Sequence, residues 1–324
     1  MRIVLAFALL IIAVVVRAET NWSASGSLDV DTLDVEWRDA ARDRQIPAGI
    51  YYPRNATGAC PMIVFSHGLG GTRSNYEYLG RHWASHGFVS VHVQHHGSDD
   101  AVWRGSSRPQ EAMRNATLDP INARNRPLDV SFALDELTKM NQGGGNLKGK
   151  LDMARVGVAG HSFGAWTVLA IAGQGDSRAA RRTADQRVKA GIAMSAPVPK
   201  DSARRDYEHI RIPILHLTGT ADESPIGGTS AKDRRIPFDA ITNAPQFLVT
   251  LIGGDHMVFS GRKAAGRNAS RDAGMRDIIC ASTTAFWNAF LREDARAKAW
   301  LVEGGFEKTL AGKGVFEKKP APRK

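Results

Sequence analysis

The chain has 324 residues, of which 43% are hydrophobic and 23% charged, and its formal net charge is +10. These proportions are ordinary for a globular protein, and the length suits either one α/β domain with insertions or two domains. Basic residues are not interleaved with stacking aromatic residues, which argues against nucleic-acid binding. The positive charge would permit weak contact with an anionic membrane surface.

The N-terminus has the pattern of an export signal. Apolar residues run without interruption from Ile3 to Val16, and the sequence Val-Arg-Ala then ends at Ala18. This run is short for a membrane span but suits the apolar core of a signal peptide. We therefore predict a signal peptide over residues 1–18 and a secreted or periplasmic protein, with an uncleaved anchor as the alternative.

Two cysteines, Cys60 and Cys280, lie far apart in the sequence. An exported protein can keep a disulfide between them, because oxidising compartments allow the bond to persist. Two buried free thiols are an equally good interpretation, so the sequence leaves the pairing open.

Candidate strands alternate with helical patterns along the chain. The first two strands, SLDVDTLDVEW and IPAGIYY, alternate polar and apolar residues, as antiparallel strands at a sheet edge do. Helical patterns include one opened by Pro127, one following Ser162 and one over about 277–301. The later strands are nearly continuous apolar runs, typical of strands buried on both faces: MIVFSHG, FVSVHVQ, RVGVAG, VKAGIAMSA, IPILHLTGT and QFLVTLIGG. This order predicts an α/β fold with a mostly parallel central sheet, an antiparallel N-terminal edge and helices on both faces.

We predict one catalytic domain over residues 19–311, followed by a flexible basic tail over residues 312–324. Residues 141–150 contain three consecutive glycines and are predicted to form a surface loop. A second irregular segment runs from residue 95 to residue 126 and contains Trp103. It either forms a wall of a substrate pocket or is a surface loop whose tryptophan packs on its own neighbours.

The segment GVAGHSFGAWT, residues 157–167, places a serine where a strand gives way to a helix. Gly160 and Gly164 flank Ser162 in a Gly-x-Ser-x-Gly pattern, which permits the close backbone approach of a nucleophile elbow. Because this turn exposes the hydroxyl at the carboxyl end of a parallel strand, we predict that Ser162 is a nucleophile.

A serine hydroxyl needs a base to take its proton and an acid to orient that base. His256 follows the strand QFLVTLIGG and Asp222 follows IPILHLTGT, so both lie at the same sheet edge as Ser162. The order Ser162, Asp222, His256 is the order of catalytic triads in α/β-hydrolases. The adjacent acids Glu223 and Asp255 are interpreted as solvated loop charges.

Other histidines receive structural roles. His161, beside the predicted nucleophile, should point away from it, and His67 should hold the glycine-rich turn SHGLGG by a hydrogen bond. His92, His95 and His96 cluster near the end of the strand FVSVHVQ, but no cysteine or carboxylate spacing supports a metal site there. We predict no bound metal and no cofactor.

The turn SHGLGG, residues 66–71, follows the strand PMIVF. A glycine-rich turn in this place supplies a backbone donor to an oxyanion hole, and the spacing assigns that donor to Leu69. The other predicted donor is the amide of Phe163, at a helix N-terminus that adds favourable potential for negative charge. A plain glycine turn is the alternative interpretation.

The segments FSHGLGGTRSNYEYLGRHWASHGF and GVAGHSFGAWT resemble the secreted platelet-activating-factor acetylhydrolase group and the dienelactone-hydrolase-like proteins close to it. The resemblance covers residues 50–290 and implies an α/β-hydrolase fold, serine esterase or lipase activity, no cofactor, and oxyanion donors at Leu69 and Phe163.

Three departures qualify that resemblance. In the acetylhydrolase group the acid follows the strand after the nucleophile helix, where this chain has Ser195, so Asp222 is the expected acid. Dienelactone hydrolases use a cysteine nucleophile, whereas this chain has Ser162. Polyester hydrolases related to cutinase share the triad order, but they typically carry an aromatic residue in the oxyanion loop and methionine after the serine, unlike Leu69 and Phe163.

These features predict a secreted serine hydrolase that cleaves small-molecule or lipid carboxylic esters through an acyl-enzyme. Platelet-activating-factor-type phospholipid acyl hydrolysis and polyester cleavage are alternatives within the same class. A non-catalytic binding module is the alternative from another class, because fold does not imply function. The sequence does not indicate an oligomeric state.

Overall fold

The computed structural model describes residues 21–199, 202–261 and 268–320. The predicted signal peptide, residues 1–18, lies outside these ranges. Within them, no helix combines the length and the apolar composition that crossing a bilayer requires.

The described residues contain one sheet of nine strands, in the order β1-β2-β4-β3-β5-β6-β7-β8-β9. Strands β3 to β8 pair in parallel, whereas β1 with β2, β2 with β4, and β8 with β9 pair antiparallel. The predicted mostly parallel sheet with an antiparallel N-terminal edge is confirmed. The strands are β1 Val30–Asp39, β2 Arg44–Pro53, β3 Cys60–Ser66, β4 Val89–Val93, β5 Leu151–His161, β6 Val188–Met194, β7 Ile214–Ala221, β8 Gln246–Asp255 and β9 Gly314–Lys319.

Helices cover both faces of the sheet, as predicted. Helices α1, α7, α8 and α9 contribute side chains to the apolar core on one face, and α3 and α4 contribute to the core on the other. The helices are α1 Glu77–Ser85, α2 Pro109–Leu118, α3 Pro120–Gln142, α4 Phe163–Ile171, α5 Ser177–Thr183, α6 Ile236–Ala240, α7 Ala269–Leu291, α8 Ala295–Val302 and α9 Gly305–Leu310.

The two cores follow from the alternation of side chains along each strand. In β3, Phe65 belongs to one apolar cluster and its neighbour Val64 to the other. Cys60 lies in the second cluster and Cys280 in the first, so the sheet separates them. Both are buried free thiols, which answers the question that the sequence left open.

The prediction of a flexible tail from residue 312 is wrong for Gly314–Lys319. This segment forms β9 and pairs antiparallel with β8, with Phe316 opposite Val249. The ring of Phe316 stacks on that of Phe247, with centroids 6.2 Å apart. The basic composition of the tail predicts a flexible segment, but its aromatic residue, Phe316, packs on the sheet and the segment becomes an edge strand.

Two predicted helix boundaries also differ. Helix α3 begins at Pro120, where the Asp119 carboxylate accepts a hydrogen bond from the amide of Ile121, and Pro127 lies inside the helix. The segment predicted as one helix over 277–301 is divided between α7 and α8. Asp294 begins α8 because its carboxylate accepts the amide of Arg296. An aspartate cap marks the start of each of these two helices, and in α3 the cap is followed directly by Pro120.

Candidate active site

Ser162 lies on the sharp turn between β5 and α4. Its φ of 55° and ψ of −119° are unusual for a residue with a side chain, as the elbow geometry requires. A Cβ atom on Gly160 would lie 2.3 Å from the carbonyl oxygen of Gly164, and one on Gly164 would lie 1.9 Å from that of Ser66. Only glycine fits at either position, so these two residues allow the turn that presents Ser162.

The structure brings together the three predicted triad residues at the carboxyl edge of the sheet. Ser162 Oγ lies 3.0 Å from His256 Nε2, and His256 Nδ1 lies 2.8 Å from Asp222 Oδ1. Because Nδ1 faces a carboxylate it carries the ring proton, which leaves Nε2 free to accept the serine proton. The imidazole is therefore in the tautomer that a general base needs.

The carboxylate of Asp222 is completely buried, and both of its oxygens accept hydrogen bonds. Its Oδ2 accepts hydrogen bonds from Ser195 Oγ at 2.5 Å and Thr218 Oγ1 at 2.9 Å. Burial would raise the pKa of Asp222, but the hydrogen bond from His256 and the nearby charge of Arg234 hold that pKa below its ordinary value. Asp222 is therefore ionised at neutral pH.

His161 does not contact the Ser162 hydroxyl, in agreement with its predicted structural role. Its Nε2 donates to the carbonyl oxygen of His256 at 2.9 Å, and its Nδ1 accepts from the hydroxyl of Tyr76 at 2.8 Å. Burial holds the pKa of His161 well below its ordinary value, so the ring stays neutral. Its role is to fix the backbone that carries His256.

The two predicted oxyanion donors follow the ends of two adjacent parallel strands, β3 and β5. Leu69 belongs to the loop after β3, residues 66–71, which we call the oxyanion loop, and Phe163 is the first residue of α4 after β5. Among the described residues, neither the Leu69 amide nor the Phe163 amide has a hydrogen-bond acceptor. Both amides are therefore available to a developing negative charge.

A completely buried guanidinium, that of Arg126 in α3, supports the oxyanion loop from behind. Its Nη2 donates to Ser66 Oγ at 3.1 Å and to the carbonyl oxygen of His67, and its Nη1 donates to Ser98 Oγ at 2.8 Å. Burial lowers the pKa of Arg126 to about 9, which leaves it charged at neutral pH. The loop is thus anchored by charge-assisted hydrogen bonds, which are stronger than neutral ones.

Arg126 also contacts the helix that carries the other predicted donor. Its Nε donates to Thr167 Oγ1 at 3.0 Å, and its Cζ lies 4.5 Å from the centroid of the Phe163 ring. One side chain therefore links the oxyanion loop to the N-terminal turns of α4. The sequence gives no sign of this role, because an arginine within ARNRP is ordinarily a solvated charge.

Two of the three histidines considered for a metal site, His92 and His95, are buried and hydrogen-bonded, whereas His96 is exposed. His95 Nε2 accepts from Ser66 Oγ and Nδ1 donates to Asp129 Oδ2, each at 2.9 Å. Ser66, His95 and Asp129 are hydrogen-bonded in the same sequence of serine, histidine and aspartate as a triad, but all three side chains are completely buried. In the part of the chain that the structure describes, no group of three or more histidine, cysteine, aspartate or glutamate residues is placed to hold a metal ion.

The segment from residue 95 to residue 126 packs on the oxyanion loop. Trp103 Nε1 donates to the carbonyl oxygen of Gly70 at 2.9 Å. Trp103 also lines a cleft of about 450 Å³, together with Gly70, Arg73 and Asp100. The residues that line this cleft include none of Ser162, Asp222 and His256, so a role for the segment as a wall of the substrate pocket stays a prediction.

The sheet order, the serine on a strand-to-helix elbow, and the aspartate and histidine on later loops define an α/β-hydrolase. A family model described as PETase, PET hydrolase-like, matches residues 46–312. The chain belongs to this PET hydrolase-like family. The resemblance inferred from the sequence, to an α/β-hydrolase group of serine esterases, is confirmed.

Curated relatives fall into two named groups. Platelet-activating factor acetylhydrolase of Cavia porcellus is 29% identical over 185 residues, which are 48% of this chain and 40% of the relative. Cutinase 2 of Thermobifida cellulosilytica is 29% identical over 175 residues, 53% of this chain and 52% of the relative. Cutinase est1 of Thermobifida alba is 33% identical over 127 residues, 39% of this chain and 34% of the relative. The chain thus spans about half or less of the length of these relatives.

Proposed function

We propose that the protein is a serine hydrolase that cleaves carboxylic esters through an acyl-enzyme. The observation that carries the proposal is the hydrogen-bonded chain from Ser162 through His256 to Asp222, with Ser162 on a strained elbow. The names of the curated relatives, acetylhydrolase and cutinase, support ester hydrolysis as the reaction class.

The reaction takes place in two halves. Ser162 Oγ attacks the ester carbonyl while His256 Nε2 takes the hydroxyl proton, and Asp222 stabilises the resulting imidazolium. The carbonyl oxygen becomes an oxyanion that accepts hydrogen bonds from the amides of Leu69 and Phe163. His256 then protonates the leaving alkoxide, water attacks the acyl-enzyme with His256 as base, and the acid is released.

The substrate is proposed to be a small-molecule or lipid ester, and the reaction needs no cofactor. A polyester is the second candidate substrate, favoured by the match to the PET hydrolase-like family. Leu69 and Phe163 are the positions at which this chain departs from the expected polyester hydrolase pattern. Release of soluble acid from poly(ethylene terephthalate) film, compared with hydrolysis of a soluble ester by the same preparation, distinguishes the two candidates.

Export is proposed from the apolar run Ile3–Val16 and the Val-Arg-Ala sequence after it. The mature protein would then begin at Glu19. The N-terminal sequence of protein recovered from the culture medium or periplasm tests this: a start at Glu19 supports export with cleavage, and a start at Met1 in the cytosolic fraction contradicts it.

The decisive experiment compares the protein with Ser162→Ala on p-nitrophenyl esters from acetyl to palmitoyl. Activity that disappears in Ser162→Ala but persists in Ser177→Ala, an exposed serine in α5, supports the proposal. A fluorophosphonate that labels Ser162 provides an independent readout. A folded protein that hydrolyses no ester and takes up no label contradicts the proposal and favours a non-catalytic binding module.

A further inference from the structure

A second buried guanidinium lies beside the Asp222–His256 pair. Arg234 belongs to the short 3-10 turn Ala231–Arg235, which follows the loop that carries Asp222. Only 2% of Arg234 is exposed to solvent. A buried charge is strongly destabilising unless it is paired and hydrogen-bonded, so its contacts should reveal why it is there.

Arg234 connects the loops after two neighbouring strands. Its Nη1 donates to the carbonyl oxygen of Ser195 at 2.8 Å, and its Nε donates to the carbonyl oxygen of Asp222 at 3.2 Å. Ser195 follows β6 and Asp222 follows β7. The guanidinium therefore fixes the backbone of Asp222, whose carboxylate binds His256, and the backbone of the neighbouring Ser195.

The same guanidinium makes two electrostatic contacts with the triad side chains. Arg234 Nε lies 3.5 Å from Asp222 Oδ1, the oxygen that accepts the proton of His256. Arg234 Nη2 lies 3.3 Å from His256 Nδ1. Because Nδ1 donates to Asp222, it cannot also accept from arginine, so the second contact brings two donors together. A positive charge in this place opposes the formation of imidazolium.

We propose that Arg234 is a positioning residue whose charge, placed beside the Asp222–His256 pair, opposes protonation of His256 and thereby sets the acid limit of activity. The inference rests on the proposed function, because it assigns His256 as the base. The contacts of Arg234 are with Ser195, Asp222 and His256, so it acts on the reaction through Asp222 and His256.

The other charged groups near this ring do not reproduce the effect of Arg234. His161, whose ring centroid lies 4.7 Å from that of His256, stays neutral because burial lowers its pKa. Asp255, the preceding residue, forms an ion pair of 3.6 Å with Arg271. Asp222 favours the imidazolium, and Arg234 counteracts it from the same side of the ring.

Two further carboxylates, those of Glu223 and Asp233, act on Arg234 through their charge and favour its protonated form. Burial lowers the pKa of Arg234, whereas Asp222, Glu223 and Asp233 raise it. The guanidinium therefore keeps its charge while Asp222 is ionised, and the substitution that tests its role is one that removes this charge.

The test measures kcat/KM on p-nitrophenyl butyrate from about pH 5 to about pH 9, because this parameter reports the ionisation of the free enzyme. Arg234→Gln removes the charge and keeps a hydrogen-bond donor, and Arg234→Met removes both. We expect the midpoint of the acid limb to rise by about one pH unit in both variants, with about tenfold lower kcat/KM below the original midpoint.

Arg234→Lys separates charge from positioning. Lysine keeps the positive charge, so the midpoint should return toward that of the unaltered protein. The plateau of kcat/KM should be lower than in that protein, because one ammonium group does not hold both loops in the same geometry. The matched control is Arg292→Met, a partly buried arginine that donates to the carbonyl oxygen of Gly87 before β4, and its profile should be unchanged.

A midpoint that stays in place in both Arg234→Gln and Arg234→Met, with only a lower plateau, would overturn the inference and leave Arg234 a structural residue. A readout without turnover keeps this outcome separate from failure of the proposed function. In the Ser162→Ala protein, the ring proton of His256 can be titrated by NMR with and without Arg234→Gln. A rise in the titration midpoint supports the inference even if no ester is hydrolysed, and an unchanged midpoint contradicts it.

Discussion

Ser195 Oγ lies 2.5 Å from Asp222 Oδ2, the carboxylate oxygen opposite the one that His256 binds. Thr218 binds the same oxygen, so both oxygens of the carboxylate have fixed partners. Ser195 stands where the acid was expected in the acetylhydrolase group, yet here it supports an aspartate that comes from the next strand. The carboxylate is thus held in one orientation by two strands at once.

Replacing Asp222 with asparagine should lower kcat by about four orders of magnitude, because His256 would lose control of its tautomer and the partner for its charge. The measurement is kcat on a p-nitrophenyl ester, with circular dichroism to verify folding. Glu223→Gln and Asp255→Asn are the matched controls, since Glu223 is exposed and Asp255 pairs with Arg271, and each should retain nearly full activity. A comparable loss in either control would reassign the acid.

Replacing Arg126 with methionine should lower kcat by about ten- to a hundredfold with a smaller change in KM. The oxyanion loop would lose its anchor at Ser66 and His67, and small displacements of transition-state donors are costly. Arg126→Lys should recover part of kcat because it can keep one of these bonds.

The control for Arg126 is Arg187→Met, which removes an arginine paired with Asp185 before β6, at the opposite sheet edge. It should leave kcat unchanged. If Arg126→Met folded and retained full kcat, the proposed anchoring of the oxyanion loop would be refuted.

Gly164→Ala should destabilise the protein by several kcal/mol, because its Cβ would lie 1.9 Å from the backbone oxygen of Ser66 and α4 would have to move away from β3. Urea unfolding measures this change. Gly58→Ala is the matched control, since a Cβ there has no neighbour within 4 Å, and its unfolding midpoint should hardly move. Equal stability of the two variants would be incompatible with the close approach at the elbow.

The free energy of unfolding should begin to fall at a higher pH than protonation of carboxylates alone would predict, because buried histidines also contribute. Burial lowers the pKa of six buried histidines from the ordinary value of 6.5, and the folded protein must keep them neutral. Their pKa values are about 4 for His82, His92 and His216, about 3 for His95, and well below the ordinary range for His67 and His161.

Because these histidines bind protons more readily when unfolded, their stabilising effect is complete above about pH 6.5 and decreases as the pH falls toward the folded-state values. One histidine with a folded pKa of about 4 should lose about 2 kcal/mol between pH 8 and pH 5. Urea unfolding of Ser162→Ala across this range measures the slope, and His216→Gln should reduce it. A stability that is constant from pH 8 to pH 5 would contradict the prediction.

Much of the fold and of the candidate site could be predicted from the sequence. Buried parallel strands are continuous apolar runs, and the elbow, the acid and the base each follow such a run, so Ser162, Asp222 and His256 could be placed at one edge. The spacing of Gly160 and Gly164 predicted the turn at Ser162, because the close backbone approach there excludes every side chain and so requires glycine in the local sequence.

The supporting cations could not be predicted in the same way. Arg234 occurs in the segment AKDRRIP, where the neighbouring Arg235 is indeed an exposed arginine paired with Asp239. The packing of the turn against Ser195 and Asp222 decides which of the two adjacent arginines is buried. No local pattern in the sequence indicates that choice. Strand β9 could not be predicted for a related reason. It is a strand because it pairs with β8, and its own composition does not indicate a strand.

The position of the two thiols on opposite faces of the sheet has a further consequence for unfolding. Cys60 is protected by the layer that contains α3 and α4, and Cys280 by the layer that contains α1 and α7. Each cysteine is therefore a native probe of one layer, and no engineered label is needed. The order in which the two react with a thiol reagent, as denaturant is added, would report whether the two halves of the core separate together or one after the other.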